Sequence, residues 1–311
     1  MVFPSQRIPK IQVFLETRDR PNLVVQAVKS ILEQSFQDFH LVLSDNSTNF
    51  ETKEIFSKFS NPKLSYVFRN DLSGAEHWNK ILEEIRSEFV VVFHDDDLMM
   101  KDFLEVLFSA IDSEKDLVAV AGNAFSMFGS KKSNQKAFKD REDVLISTPV
   151  QLFRRMLRNG YNPPYSSYLY RSTIIKDLPA NKSCGNQSDA ASLRDVINRG
   201  KILWKCKPLM YYRYHSGQDS TKLPLEDRRA FLKMVLNSST LSRRSPLVCH
   251  FRINLIIKHY LRKFGKIPKL ATFLRLLRIF YLQLRLVPFQ IPFGLQRFLT
   301  QFLFKSDFFS R

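Results

Sequence analysis

The sequence predicts an α/β fold: a mostly parallel central sheet with helices on both faces, continued by a helical C-terminal extension. Three observations carry this. Short β-rich runs alternate with amphipathic helical patterns through the N-terminal part, the order that winds a parallel sheet and covers it on both sides. One central run is apolar throughout and ends in carboxylates, as a strand buried on both faces does. The chain has 311 residues, 44% of them hydrophobic and 28 of them Phe, enough apolar surface to offset the entropy of ordering a large domain.

The elements follow in order. Ile11 to Leu15 reads as the first strand, and Pro21 suits the first turn of a helix with Leu23, Val24, Ala27, Val28, Ile31 and Leu32 at helical spacing. Phe39 to Leu43 and Leu64 to Phe68 read as strands, separated by a short helix from Glu51 to Phe59. Ala75 to Ile85 predicts a helix, Phe89 to Phe93 the central strand, Lys101 to Ile111 a further helix and Leu117 to Val120 a strand. Gly129 to Asp143, rich in Lys, Ser and Asn, has little periodicity and marks the change from a first half (1–125) to a second (126–225). Helices at Pro149 to Arg158 and Ala190 to Arg199 and a strand near Ile202 to Trp204 complete that second half.

The third region, 226–311, differs in charge. The formal net charge is +18, and from Ala230 onward fifteen Lys or Arg face the single acid Asp307, which accounts for +14 of it. Arg275, Arg278 and Arg285 lie near one helical face, with Leu274, Leu277, Tyr281 and Leu284 opposite, and Pro288 and Pro292 break the pattern. Such a segment suits an anionic membrane interface, or packing on the domain before it. No run of about 18 charge-free apolar residues occurs, so a spanning helix is not expected. The N-terminus runs into the first strand without the apolar stretch of a signal peptide. Cys184, Cys206 and Cys249 are odd in number and widely spaced, which argues against a zinc site and fits a reducing cytoplasm.

In parallel sheets ligands bind beyond the carboxyl ends of the strands. Three such ends are informative here: Thr17-Arg18-Asp19-Arg20-Pro21, Ser44-Asp45-Asn46-Ser47 and His94-Asp95-Asp96-Asp97. Three adjacent carboxylates repel one another in a partly desolvated cleft unless a cation or donors compensate. A hard divalent ion, Mg²⁺ or Mn²⁺, would do so through oxygen ligands. The same triplet would also serve as a solvated turn or as the N-cap of the following helix.

TRDRP, LVLSDNS, FRNDLSGAEHWNKIL (with Asn70, Gly74 and Asn79), VVVFHDDDLM, Ser188-Asp189 followed by a helix and GKI, and YYRYHSGQDS stand in this order over roughly residues 8 to 220. Together they resemble the motifs of family 2 inverting glycosyltransferases of GT-A fold. The resemblance implies a nucleotide-sugar donor, a glycan or lipid-linked acceptor, and transfer with inversion in surface polysaccharide synthesis. It implies that Thr17, Asp19 and Asn79 border the nucleotide sugar and that Asp45 accepts from the base. Asp95 and Asp97 fit a DxD pair, with Asp95 and Asp96 toward the nucleotide sugar and Asp97 on the metal. The unbroken triplet after His94 leaves open which two acids touch the ion. Asp189 takes the place of the general base, which removes the acceptor hydroxyl proton; as an alternative it is a helix N-cap. Arg213 and His215 stand where a late loop meets the diphosphate, with His215 able to bind the metal. The setting implied is peripheral, on the cytoplasmic face of the cell membrane.

Two other classes compete. The net charge invites nucleic-acid binding, but the basic residues are interleaved with aliphatic runs and no nucleic-acid module is recognised, so no nucleic-acid partner is expected. A nucleotidyltransferase could use similar carboxylates and would release pyrophosphate.

Overall fold

The computed structural model describes residues 7–159, 164–215, 224–242 and 245–252. The expected basic helices beyond residue 252 and the end of the YYRYHSGQDS segment lie outside these residues.

Four parallel strands open the fold. β1 (Ile11–Thr17) lies between β2 (Phe39–Asp45) and β4 (Phe89–His94), with Ile11 in register with Phe39 and Phe89, and β3 (Leu64–Phe68) pairs beyond β2. Alternate side chains point to opposite faces, and both faces are buried. On one, Ile11, Val13, Leu15, Val91 and Phe93 pack with α1 (Pro21–Leu32) through Val24, Ala27, Val28 and Ile31, and with α4 (Phe103–Ser113) through Phe103, Leu104 and Leu107. On the other, the carboxamide of Gln12 donates to Glu84 O at the end of α3 (Gly74–Glu84) and accepts from Arg86 N. α3 starts where it does because Ser73 and Glu76 form a reciprocal capping box. α2 (Glu51–Ser57) is a short connection.

Several elements depart from the sequence expectation, each for a non-local reason. Leu98 and Met99 form a two-residue strand, β5, rather than the approach to a helix. The strand expected to end at Val120 continues as β6 (Leu117–Phe128), and the one expected near Trp204 is β10 (Lys201–Tyr214). These two pair in parallel along their length, with register irregularities around Pro208. Each extends the other, which no local periodicity reveals. The Lys- and Ser-rich stretch contains β7 (Lys131–Lys136), a mostly exposed strand antiparallel to β6, and is followed by β8 (Val144–Ile146), antiparallel to β10. Polar, Lys-bearing strands are usual at sheet edges.

After α5 (Pro149–Asn159) a 3₁₀ turn at Tyr165–Ser167 leads into β9 (Tyr168–Arg171), which runs antiparallel between β4 and β6. α6 (Ser172–Ile175), a second 3₁₀ segment (Lys182–Gln187) and α7 (Ser188–Ile197) follow. The ten-stranded sheet has the order β3-β2-β1-β4-β9-β6-β10-β5, with β7 and β8 attached to β6 and β10. It is mixed, with a mostly parallel core. A second compact unit contains α5 from Val150 onward and α8 (Leu225–Asn237), where Phe153 meets Phe231 edge to face.

Gly122 on β6 marks a close approach: a Cβ there would lie 2.6–2.9 Å from three side-chain atoms of the buried Leu209. Gly122→Ala should therefore cost about 1–3 kcal/mol through overpacking, more than the stiffer unfolded chain returns. A urea midpoint unchanged or raised by the substitution would contradict this packing.

Candidate active site

The three strand ends singled out by sequence converge beyond the carboxyl edge of β1, β2 and β4. Thr17, at the end of β1, donates its hydroxyl to Asp95 Oδ2 at 2.7 Å, and Arg20, just before α1, donates to Asp95 Oδ1 at 3.0 Å and reaches Asp96 Oδ2 at 3.5 Å. Burial raises the Asp95 pKa above the ordinary carboxylate value, although the Thr17 hydroxyl and the Arg20 guanidinium work against the rise.

Asp97 has different support. It is completely buried and accepts from the Ser166 hydroxyl at 2.8 Å and the Arg213 main-chain N–H at 3.0 Å, both dipoles rather than charges. Burial, followed by the Asp96 charge, pushes its carboxyl from an ordinary 3.8 up to about 7. Asp96 pairs with His215 Nε2 at 2.9 Å, and its carbonyl accepts from Arg213 Nε at 2.6 Å.

One ligand atom each from His94, Asp96 and Asp97 falls within 4.8 Å of the others. Burial works to lower the His94 pKa, but the surrounding Asp96, Glu16, Asp97 and Asp95 charges outweigh it and raise it. The cluster therefore favours added positive charge, and two carboxylates with an imidazole are donors that a hard divalent ion accepts. The residues present fit such an ion. Asp97 was expected to contribute; His94 was not, because nothing local distinguished it from an ordinary strand-end residue.

The other expected residues are placed as follows. Asp19 adopts a left-handed backbone (φ 54°) and accepts from Thr48 N, Thr48 Oγ1 and Asn49 Nδ2 across the loops after β1 and β2. Asp45 is fully buried and accepts from Ser47 N at 2.9 Å and the Tyr66 hydroxyl at 2.5 Å. Asn79 lies on the exposed side of α3, where its carbonyl accepts from Ala180 N at 3.1 Å. The Arg213 guanidinium donates to Asp96 O, Gly129 O and Gln26 Oε1, so it braces the aspartate turn against α1 and the β6–β7 turn.

Asp189 lies in the first turn of α7 and accepts from Ala190 N at 2.8 Å. Burial raises the phenol pKa values of Tyr165 and Tyr170, and the charge of Asp189 adds to both. Tyr165 precedes Ser166, the Asp97 partner, and its ring meets the Trp78 ring of α3 edge to face at 5.7 Å. The charge of Asp189 is thus felt at the 3₁₀ turn whose Ser166 holds Asp97. Ser166 and Tyr165 sit in a segment with no periodic signal and could not have been found by pattern; Arg20 lay within the TRDRP run but was not singled out.

Comparison with known proteins bears on the family and the fold. The family described as Glycosyl transferase family 2 matches residues 13–178. The GalNAc(5)-diNAcBac-PP-undecaprenol beta-1,3-glucosyltransferase of Campylobacter jejuni is 24% identical over 150 residues, 45% of this chain and 48% of that protein. The putative colanic acid biosynthesis glycosyl transferase WcaA of Escherichia coli is 26% identical over 92 residues, 29% of this chain and 33% of WcaA. The matches thus span about half the length of the first relative and a third of the second. Among solved structures, S. aureus TarS 1-349 in complex with UDP-GlcNAc is similar in fold, with a TM-score of 0.62 at 19% identity, covering 90% of this chain and 82% of that one. The expected GT-A arrangement is the one found.

A raised Asp97 pKa has a thermodynamic consequence. Between its unfolded value and about 7 the folded state holds a proton that the unfolded state has lost, so this group's contribution to stability falls as pH rises through that window and stays low above it. In metal-free protein at pH 8, Asp97→Asn should raise Tm by about 2 °C or more, the scale of 1 kcal/mol for a domain of this size. Mn²⁺ should stabilise the native protein and leave the variant unchanged. A variant that melts lower than native without metal, and still gains from Mn²⁺, would remove Asp97 from the cation site.

Proposed function

Because the chain belongs to glycosyl transferase family 2, we propose that it moves a sugar from a nucleotide-diphosphate donor to a hydroxyl of a glycan or lipid-linked acceptor, with inversion at the anomeric carbon. The observation that carries this reading is the buried acidic cluster at the end of β4, with Thr17 and Arg20 on Asp95 and an imidazole beside Asp96 and Asp97. UDP is the default nucleotide, supported by the UDP-GlcNAc bound to the TarS fold relative. A lipid-linked acceptor and surface polysaccharide synthesis are supported by the names of the Campylobacter and E. coli relatives.

His94, Asp96 and Asp97 would hold Mg²⁺ or Mn²⁺, with His215 beside Asp96 as a further donor. When bound, the ion supplies positive charge against the diphosphate as it leaves. Arg20, a third exposed, adds a guanidinium on the same side. Asp95 and Asp96 face the nucleotide sugar, and Thr17, Asp19, Asp45 and Asn79 belong to the donor side. Arg213 acts through the turn it braces.

Asp189 takes the proton from the acceptor hydroxyl while that oxygen bonds to the anomeric carbon and the bond from that carbon to the diphosphate breaks. Its place at the start of α7, near the Tyr165–Ser166 turn that holds Asp97, supports this assignment. In the same reading residues 1–125 form the nucleotide-sugar half, 126–225 the acceptor half and 226–311 a basic region on an anionic membrane surface, at the cytoplasmic face. No described helix is long and apolar enough to cross a membrane.

The test is a panel of nucleotide sugars screened with Mn²⁺ for thermal stabilisation, since a ligand bound only by the native state raises Tm. One UDP sugar should stabilise the protein and be consumed in the presence of acceptor, with activity lost in EDTA. Asp189→Asn should keep donor stabilisation and lower turnover by about 10²-fold or more, the scale of a lost general base. Near-native turnover in that variant would move the base to another carboxylate. Stabilisation by nucleoside triphosphates with pyrophosphate release would replace sugar transfer by nucleotidyl transfer.

A further inference from the structure

The β6–β7 hairpin is not used by the proposed chemistry, yet it is fixed to the site. Its turn contains Gly129 at φ 58°, and the Gly129 carbonyl accepts from Arg213 Nη1. Beside the turn, Phe128 is 54% exposed, with its ring stacked on Tyr214 at 5.3 Å. Phe128 stands opposite Lys131 in the ladder, and Lys131, Lys132 and Lys136 are all exposed. Lys132 lies over the Tyr211 ring, 4.6 Å from its centroid. From Leu117 through Lys139 the chain has four Lys and no acid.

This combination is unusual among the exposed apolar residues of the fold. Phe50, similarly exposed, is followed by Glu51, Lys53 and Glu54 and so sits in a mixed field. From Phe128 to Lys136 every charged side chain is a lysine. Lysines alone would suit any polyanion. As ladder partners Phe128 and Lys131 share one face of the hairpin, while Lys132 and Lys136, opposite Met127 and Phe125, belong to the other. A half-exposed phenyl ring at the tip, with lysines on both faces behind it, adds a group that gains only where water is excluded, which is the composition of a segment whose tip seats at an anionic bilayer interface.

We propose that the β6–β7 hairpin docks tip-first on an anionic lipid surface, with the open edge of Phe128 entering the boundary between headgroups and acyl chains, and with Lys131 from its own face and Lys132 and Lys136 from the other meeting lipid phosphates. The Gly129–Arg213 hydrogen bond then holds the aspartate turn close to that surface. This assignment stands on the hairpin's own residues and is independent of sugar transfer and of the basic region beyond residue 252.

The native tryptophans supply a quiet background, since Trp78 and Trp204 are both buried. Phe128→Trp in the full chain places an exposed indole at the turn. With phosphatidylglycerol-containing vesicles at low salt, its emission should shift to the blue and its quenching by acrylamide should fall. Neither change should occur with pure phosphatidylcholine vesicles or in the unsubstituted protein. Adding K131E, K132E and K136E should raise the lipid needed for the half-maximal shift by about tenfold or more, the scale expected for several reversed interfacial charges. Protein that sediments with anionic vesicles while the indole stays unshifted and fully quenchable would overturn the proposal. So would an absence of vesicle binding, a shift indifferent to the charge reversals, or an equal shift with soluble polyphosphate, which would make the hairpin a polyanion groove instead.

Discussion

Three consecutive carboxylates at the end of a buried strand repel one another, and much of the polar architecture around β4 can be understood as the response. Each receives different support. Asp95 gains a full positive charge from Arg20 and a hydroxyl from Thr17. Asp96 has the imidazole of His215 and a long contact to the same arginine. Asp97, the most deeply enclosed, accepts among the described residues from a serine hydroxyl and a main-chain N–H, with the His94 charge nearby but not hydrogen-bonded to it. Dipoles compensate a buried charge less completely than a counter-ion does, and so, although the carboxyls of both Asp95 and Asp97 rise, Asp97 rises further toward neutrality.

The partners of the triplet come from distant parts of the chain, and the sheet order explains how they meet. β9 inserts antiparallel between β4 and β6, which brings the 3₁₀ turn before it, with Tyr165 and Ser166, beside the end of β4. β10 runs alongside β6 well past the point where either would end alone, carrying Arg213 to the aspartate turn. The irregular register near Pro208 lets this long parallel pair continue despite a residue that cannot donate to the ladder. Gly122 is the matching concession on β6, where no side chain fits beside Leu209.

What the sequence revealed follows from the same geometry. The strand ends of β1, β2 and β4 were legible because each has a local signal: an apolar run that stops abruptly at polar residues. So was α1, through Pro21 and its buried Val24, Ala27, Val28 and Ile31. β7 was not, since Lys131–Lys136 is an edge strand with no apolar alternation to detect. Ser166 and Tyr165 were not, because their importance lies in what β9 brings them next to. Arg213 was found as a residue, but its guanidinium is committed to Gly129, Gln26 and the Asp96 carbonyl, and that bracing depends on the length of β10.

The unequal compensation also bears on the division of labour that the unbroken triplet left open. A cation approaching Asp95 would compete with Arg20, which already forms a 3.0 Å ion pair with it. Among the described residues the hydrogen bonds that hold Asp97 come from a hydroxyl and a main-chain N–H, the charge of His94 acts on it from nearby, and His94 and Asp96 offer ligand atoms close by. The same incoming charge therefore gains more at Asp97 than at Asp95. Asp95, neutralised and oriented by Thr17 and Arg20, is better suited to accept hydrogen bonds from hydroxyl groups than to coordinate an ion. Replacing Arg20 by a neutral residue would narrow that distinction, because Asp95 would lose the charge that now limits its rise.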